Sequence, residues 1–146
     1  MGEFRKLSDT FYASPQVSPQ DISEAAAMGM ALVVNNRPDG EAADQPEGAA
    51  IEAATRAAGM DYLAIPIGSA GFSEPQVERL QDALASAQGP VLGFCRSGTR
   101  STLLWSLAQA RSGGDPDAIA EAAASVGYDV SSVRPAMDMF AARAAK

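Results

Sequence analysis

The chain is 146 residues long, 47% hydrophobic and 20% charged, which is enough for one ordinary core and too apolar for disorder. Its 11 basic and 18 acidic side chains give a formal charge of −7, which excludes the basic stripe of a nucleic-acid binder. A single Cys excludes an internal disulfide, and the absence of His excludes His-ligated metals, Ser-His-Asp triads, Cys-His pairs and imidazole proton shuttles.

Any chemistry must therefore use Cys, carboxylates, Arg, Lys, hydroxyls or backbone amides. The basic residues near the N-terminus are followed by no long apolar stretch, so no signal peptide is expected. The longest apolar run, residues 25–34, is about half of what a membrane span needs. A lone Cys behind no leader points to a reduced, cytoplasmic protein off the membrane. One domain over residues 1–146 is expected, without internal repeats.

In chain order, residues 4–7 and 11–13 flank Ser8-Asp9-Thr10 and predict a short hairpin. Ser18-Pro19-Gln20-Asp21 reads as an N-cap followed by Pro at the first helical position. That helix stops at Gly29. Residues 31–35 are apolar in succession rather than in alternation, as in a strand buried on both faces. The segment 37–48, rich in Pro, Gly and acids, reads as one long loop. A helix over about 47–58 stops at Gly59, and residues 62–65 form a strand closed by Pro66.

Ser73-Glu74-Pro75-Gln76 repeats the cap signature, and its helix ends before Gly89-Pro90. Residues 91–94 form another buried strand, followed by Cys95, a short polar loop and a helix from about Ser101 to Arg111. Asp115-Pro116 starts the next helix, and Ser132 is expected to cap the last one. Strands separated by helices imply right-handed crossovers. The expected fold is α/β, three-layered α/β/α around a mainly parallel sheet. Such sheets bind ligands beyond the carboxyl ends of their strands. Two strands deliver polar residues there, one ending in Asn35-Asn36-Arg37 and one in Cys95.

The chemistry concentrates in Cys95-Arg96-Ser97-Gly98-Thr99-Arg100-Ser101. A tight loop before a helix start offers inward amides and the positive end of the helix dipole. Arg96 and Arg100 add two permanent cations. Alone, a Cys after an apolar strand is ordinarily a small core residue. Gly98 between two Arg residues, with a hydroxyl following, shifts the reading to a functional thiolate, ionised at neutral pH without a base.

This segment resembles the active-site loop of rhodanese sulfurtransferases and a shortened protein-tyrosine-phosphatase loop. The wider chain is similar to a bacterial family of phosphatase-like domains sometimes fused to metallo-β-lactamase-like hydrolases and also described as sulfur transferases. Ser14-Pro15-Gln16, Asn35-Asn36-Arg37-Pro38-Asp39-Gly40, Ile65-Pro66 and Gly127-Tyr128-Asp129 carry the likeness beside the Cys95 loop. The resemblance implies a dual-specificity-phosphatase-like fold.

The tyrosine-phosphatase pattern places His before the Cys and five residues between Cys and Arg. Here Phe94 stands in place of the His, and Arg100 follows Cys95 by five positions instead of six. The shorter loop matches rhodaneses and suits a terminal sulfur better than a phosphoryl group. Nor does the region about thirty residues before Cys95 contain the Asp that would protonate a leaving group; Glu74 there reads as a first-turn helix residue.

The leading sequence reading is therefore a Cys-dependent sulfurtransferase, passing sulfur from thiosulfate or a persulfide through Cys95. The alternative is a Cys-dependent phosphatase acting on a phosphate ester through a phosphocysteine. A third reading is a non-catalytic anion-binding or docking domain. Cys95 and Arg100 are the candidate catalytic residues. Arg96, Ser97, Gly98, Thr99, Ser101, Asn36 and Arg37 are candidates for binding the anion. Asn36 is expected to hold the loop. Arg37 either meets substrate or pairs with Asp39 or Glu41, and Asp39 is either an acid or a turn residue beside Gly40. Neither a metal nor a cofactor is expected. Tyr128 is read as a buried aromatic with a satisfied hydroxyl, and Trp105 with its leucine neighbours as helix core.

Overall fold

The computed structural model describes residues 3–146. Strands β1 (Arg5–Ser8) and β2 (Phe11–Ser14) form the expected hairpin. They are followed by α1 (Pro19–Ala27), β3 (Leu32–Asn35), α2 (Gly48–Ala57), β4 (Asp61–Ala64) and α3 (Glu74–Ser86). The chain then continues through β5 (Val91–Phe94), α4 (Thr99–Arg111), α5 (Pro116–Ser125), a 3-10 turn (Ser131–Val133) and α6 (Arg134–Ala144). The sheet order is β1-β2-β5-β3-β4. Strands β2, β5, β3 and β4 run parallel, and only β1 is antiparallel, to β2. The fold is the α/β sandwich expected, with β5 and β3 at its centre.

Side chains alternate across each strand, so the sheet separates two apolar clusters. Val33, Leu92 and Phe94 pack with Ile22 and Ala25 of α1 and Ile51 of α2. Leu7, Phe11, Val34 and Val91 pack on the other side with residues of α3 to α6. Helix α4 is the centre of that larger layer: residues 101–108 are all buried. The rings of Phe11 and Trp105 stack with centroids 6.1 Å apart. Gly93 makes room for that stack, because a Cβ there would lie 2.6 Å from the Phe11 ring.

Local signals explain most boundaries. Ser18 Oγ accepts from the Asp21 amide while Asp21 accepts from the Ser18 amide, a reciprocal cap with Pro19 behind it. Two starts differ from expectation. Helix α4 begins at Thr99 rather than near Ser101, because Gly98 is its N-cap and the Gly98 carbonyl accepts from the Thr102 amide. Ser132 does not cap α6: it lies inside the 3-10 turn, which starts where Asp129 Oδ1 accepts from the Ser131 amide. Pro135 sits in the first turn of α6, where its missing N–H costs nothing. Among the described residues no helix is long and apolar enough to cross a membrane.

Candidate active site

Three parallel strands end side by side at one edge of the sheet. The Cys95 amide donates to Ser14 O at 3.3 Å and the Asn36 amide donates to Phe94 O at 2.8 Å. The residues after β2, β3 and β5 are thereby locked together by backbone alone. The Asn36 side chain tightens the junction. Its Nδ2 donates to Ile65 O at 2.9 Å, and its Oδ1 accepts from Ser101 Oγ at 2.7 Å. Asn36 thus holds the start of α4 through Ser101, whose hydroxyl is buried and engaged there.

The loop from Cys95 curls back on itself. The Gly98 N–H donates to Cys95 Sγ at 3.1 Å. Gly98 has a left-handed φ of 89°, a region that costs a residue bearing a Cβ about 1–2 kcal/mol. The exposed hydroxyls of Ser97 and Thr99 pair with each other at 3.0 Å. Cys95 itself is fully buried. The sulfur is sealed from solvent and accepts an amide at the start of a helix.

The two loop arginines differ. Arg96 is exposed, and its guanidinium has no hydrogen bond or ion pair among the described residues. Arg100 is held on one edge. Its Nη1 donates to Glu41 Oε2 and to Ile67 O, each at 2.7 Å, and its Nη2 donates to Glu41 Oε1 at 2.9 Å. Guanidinium and carboxylate form a two-pronged pair, and the same guanidinium also interacts with the Cys95 sulfur. The bond to Glu41 raises the Arg100 pKa further, and the Cys95 sulfur adds to the effect.

Glu41 meets a second cation. Arg37 is buried, and its Nε donates to Glu41 Oε1 at 3.0 Å while its Nη1 donates to Gln16 Oε1 at 3.0 Å. The Arg100 hydrogen bond above all, and Arg37 after it, hold the Glu41 carboxyl down to about 2. Of the two acids considered for Arg37, Glu41 is the one that it pairs with. Asp39 lies in the same loop, but its Oδ1 accepts from the Gly48 amide at 2.8 Å and so closes the start of α2. Glu74 is paired with Arg111 and Arg143 on the helical layer.

Two contacts at the site, of Glu41 with Arg100 and of Tyr128 with Ser97, carried no signal in the sequence. Glu41 and Arg100 are 59 positions apart, and no spacing rule links them. Tyr128 Oη donates to Ser97 O at 3.1 Å, so its hydroxyl is satisfied as expected, yet by the Cys95 loop itself. Burial raises the pKa of this hydroxyl, keeping it a donor at neutral pH. The assembled edge brings a helix N-terminus, the Gly98 amide and the Arg37 and Arg100 guanidinium groups around Cys95 and Glu41.

The family model described as the phosphatase-like domain of beta-lactamase hydrolase-like proteins matches residues 3–112. A beta-lactamase hydrolase-like protein of Agrobacterium fabrum is 36% identical over 104 residues, which cover 71% of this chain and 24% of that protein. The chain thus spans about a quarter of the curated relatives it matches. A Neisseria meningitidis structure, provisionally described as a phosphatase, superimposes with a TM-score of 0.80 at 32% identity, covering 92% of this chain and 96% of that one. TpbA of P. aeruginosa, solved as a Cys-to-Ser variant with phosphotyrosine, shares the fold with a TM-score of 0.68 at 20% identity, over 98% and 90% of the two chains.

Proposed function

Because the chain belongs to the phosphatase-like domain family of beta-lactamase hydrolase-like proteins, we propose that it is a Cys-dependent phosphatase. The observation that carries the reading is the loop itself. Cys95 Sγ receives the Gly98 N–H at 3.1 Å, and Arg100, clamped by Glu41, also interacts with that sulfur. The sulfur attacks phosphorus, an S–P bond forms as the ester P–O bond breaks, and the departing oxygen leaves as the alkoxide or aryloxide and takes its proton from solvent water. Water then attacks the phosphocysteine, releasing inorganic phosphate and restoring the thiol. Loop amides and the Arg100 guanidinium hold the equatorial oxygens throughout.

Phosphate esters are accordingly the proposed substrates. The phosphotyrosine bound by TpbA supports an aryl phosphate as the first to try. Glu41, held down to about 2, carries no proton at neutral pH and is not the acid. Asp39 is the remaining candidate, and its bond to the Gly48 amide argues for a helix-start role instead. The test is hydrolysis of p-nitrophenyl phosphate by the wild type and by Cys95→Ser. Turnover lost in the variant supports the proposal, and turnover equal in both overturns it.

The sequence preference for sulfur transfer is not what the family and the structural neighbours support; they support phosphoryl chemistry. One observation keeps sulfur transfer as the second reading, namely that Arg100 follows Cys95 by five positions. A single-sulfur mass gain on Cys95 after thiosulfate treatment would promote it.

A further inference from the structure

Tyr128 lies beyond the family-matched residues 3–112, between α5 and the 3-10 turn. Its hydroxyl donates to the Ser97 carbonyl. The next atom along that peptide group is the Gly98 nitrogen, whose N–H donates to Cys95 Sγ. The C=O and N–H of a trans peptide point in opposite directions from one rigid plane. Fixing the carbonyl therefore fixes where the N–H is aimed. A single peptide group is held at one end by Tyr128 and holds the sulfur at the other.

The contact is close because residue 98 has no side chain. A Cβ on Gly98 would lie 2.1 Å from Tyr128 Oη. The Tyr128 ring is itself fixed. The Arg5 guanidinium lies 5.0 Å from the ring centroid, and Arg5 Nη1 donates to Val126 O at 3.1 Å. Glycine at this position is also what makes the plane free to turn over when nothing holds it. A turned plane would present the Ser97 carbonyl oxygen, a negative dipole end, to the sulfur and to any bound oxyanion.

We propose that Tyr128 is a positioning residue, clamping the Ser97–Gly98 peptide plane so that its N–H stays directed at the Cys95 sulfur. The proposal rests on Cys95 being the nucleophile. Tyr128→Phe keeps the ring beneath Arg5 and removes only the hydroxyl, so the fold should survive. Hydrogen exchange at the Gly98 amide, read by NMR, should then speed up about 3- to 10-fold, the range of one net hydrogen bond. The Leu104 amide, buried in α4, should not change. The kcat for an aryl phosphate should fall by a similar factor with KM nearly constant. Unchanged Gly98 exchange overturns the proposal. So does an acceleration shared by Leu104, which assigns Tyr128 to general packing. The exchange is read without turnover, so a wild type that hydrolyses no phosphate ester sinks the phosphatase reading while the exchange still decides this one.

Discussion

The β5–α4 loop and the β3–α2 loop meet at the site but are built by different forces. The first, residues 95–98, is shaped by backbone: a left-handed Gly98, an amide on the sulfur and a carbonyl on Tyr128. The second, residues 36–47, is longer and is held by side chains. Arg37 reaches Gln16 and Glu41, Gln45 Nε2 donates to Pro38 O at 2.8 Å, and Asp39 closes α2. The short loop carries the proposed nucleophile. The long loop carries the carboxylate that orients Arg100. Chemistry is placed where geometry is rigid, and its orientation is set from a segment that depends on charge.

The difference can be broken experimentally in order of effect. Cys95→Ser removes the attacking atom and should take p-nitrophenyl phosphate hydrolysis to background in a steady-state assay. Arg100→Lys keeps the charge but loses the fork, so kcat/KM should fall about 10²- to 10³-fold, as for loss of an oxyanion donor. The leaving group should matter next. With no protonated acid placed at the site, alkyl phosphates should turn over about 10²- to 10⁴-fold more slowly than aryl ones. A flat dependence on leaving-group basicity would show that a proton donor is present.

Glu41→Gln tests the long loop directly. Loss of the charged pair should raise KM about 10-fold while leaving Cys95→Ser-sensitive chemistry in place. The pH dependence of this support follows from its sign. A carboxyl whose folded pKa is lowered stabilises above its unfolded value, and that support is lost only as pH falls from the ordinary carboxylate range toward about 2. Between pH 5 and 8 the clamp should be constant, so the Glu41→Gln effect on KM should not vary across that window. Asp39→Asn should act least on turnover and should lower the melting temperature by a few degrees through the start of α2. A selective loss on alkyl phosphates would instead make Asp39 the acid.

What was legible followed local rules. Ser18, Pro19 and Asp21 announce α1, and the unbroken apolar run before Cys95 announces a central strand. Gly98 between two arginines marks a tight turn before a helix, and the structure gives it a positive φ. What was not legible is contact at a distance. Glu41 sits in a segment read as an acidic loop, and nothing in its neighbours says that it pairs with Arg100. Tyr128 reads as an ordinary buried aromatic until α5 brings it against Ser97. The start of α6 was missed because Asp129 opens a 3-10 turn that takes up Ser132. A Ser three positions before a Pro is a weaker signal than an Asp that reaches the amide two residues on.

Helix α4 is covered on nearly every side, and part of that cover comes from beyond residue 112. Ile119, Ala123, Met137 and Phe140 all belong to its apolar cluster. A fragment trimmed to the family-matched stretch would thus uncover the back of the very helix whose front end carries the proposed anion site. Such a piece should clump and denature early, so transplanting the catalytic loop into another protein requires carrying the tail along with it.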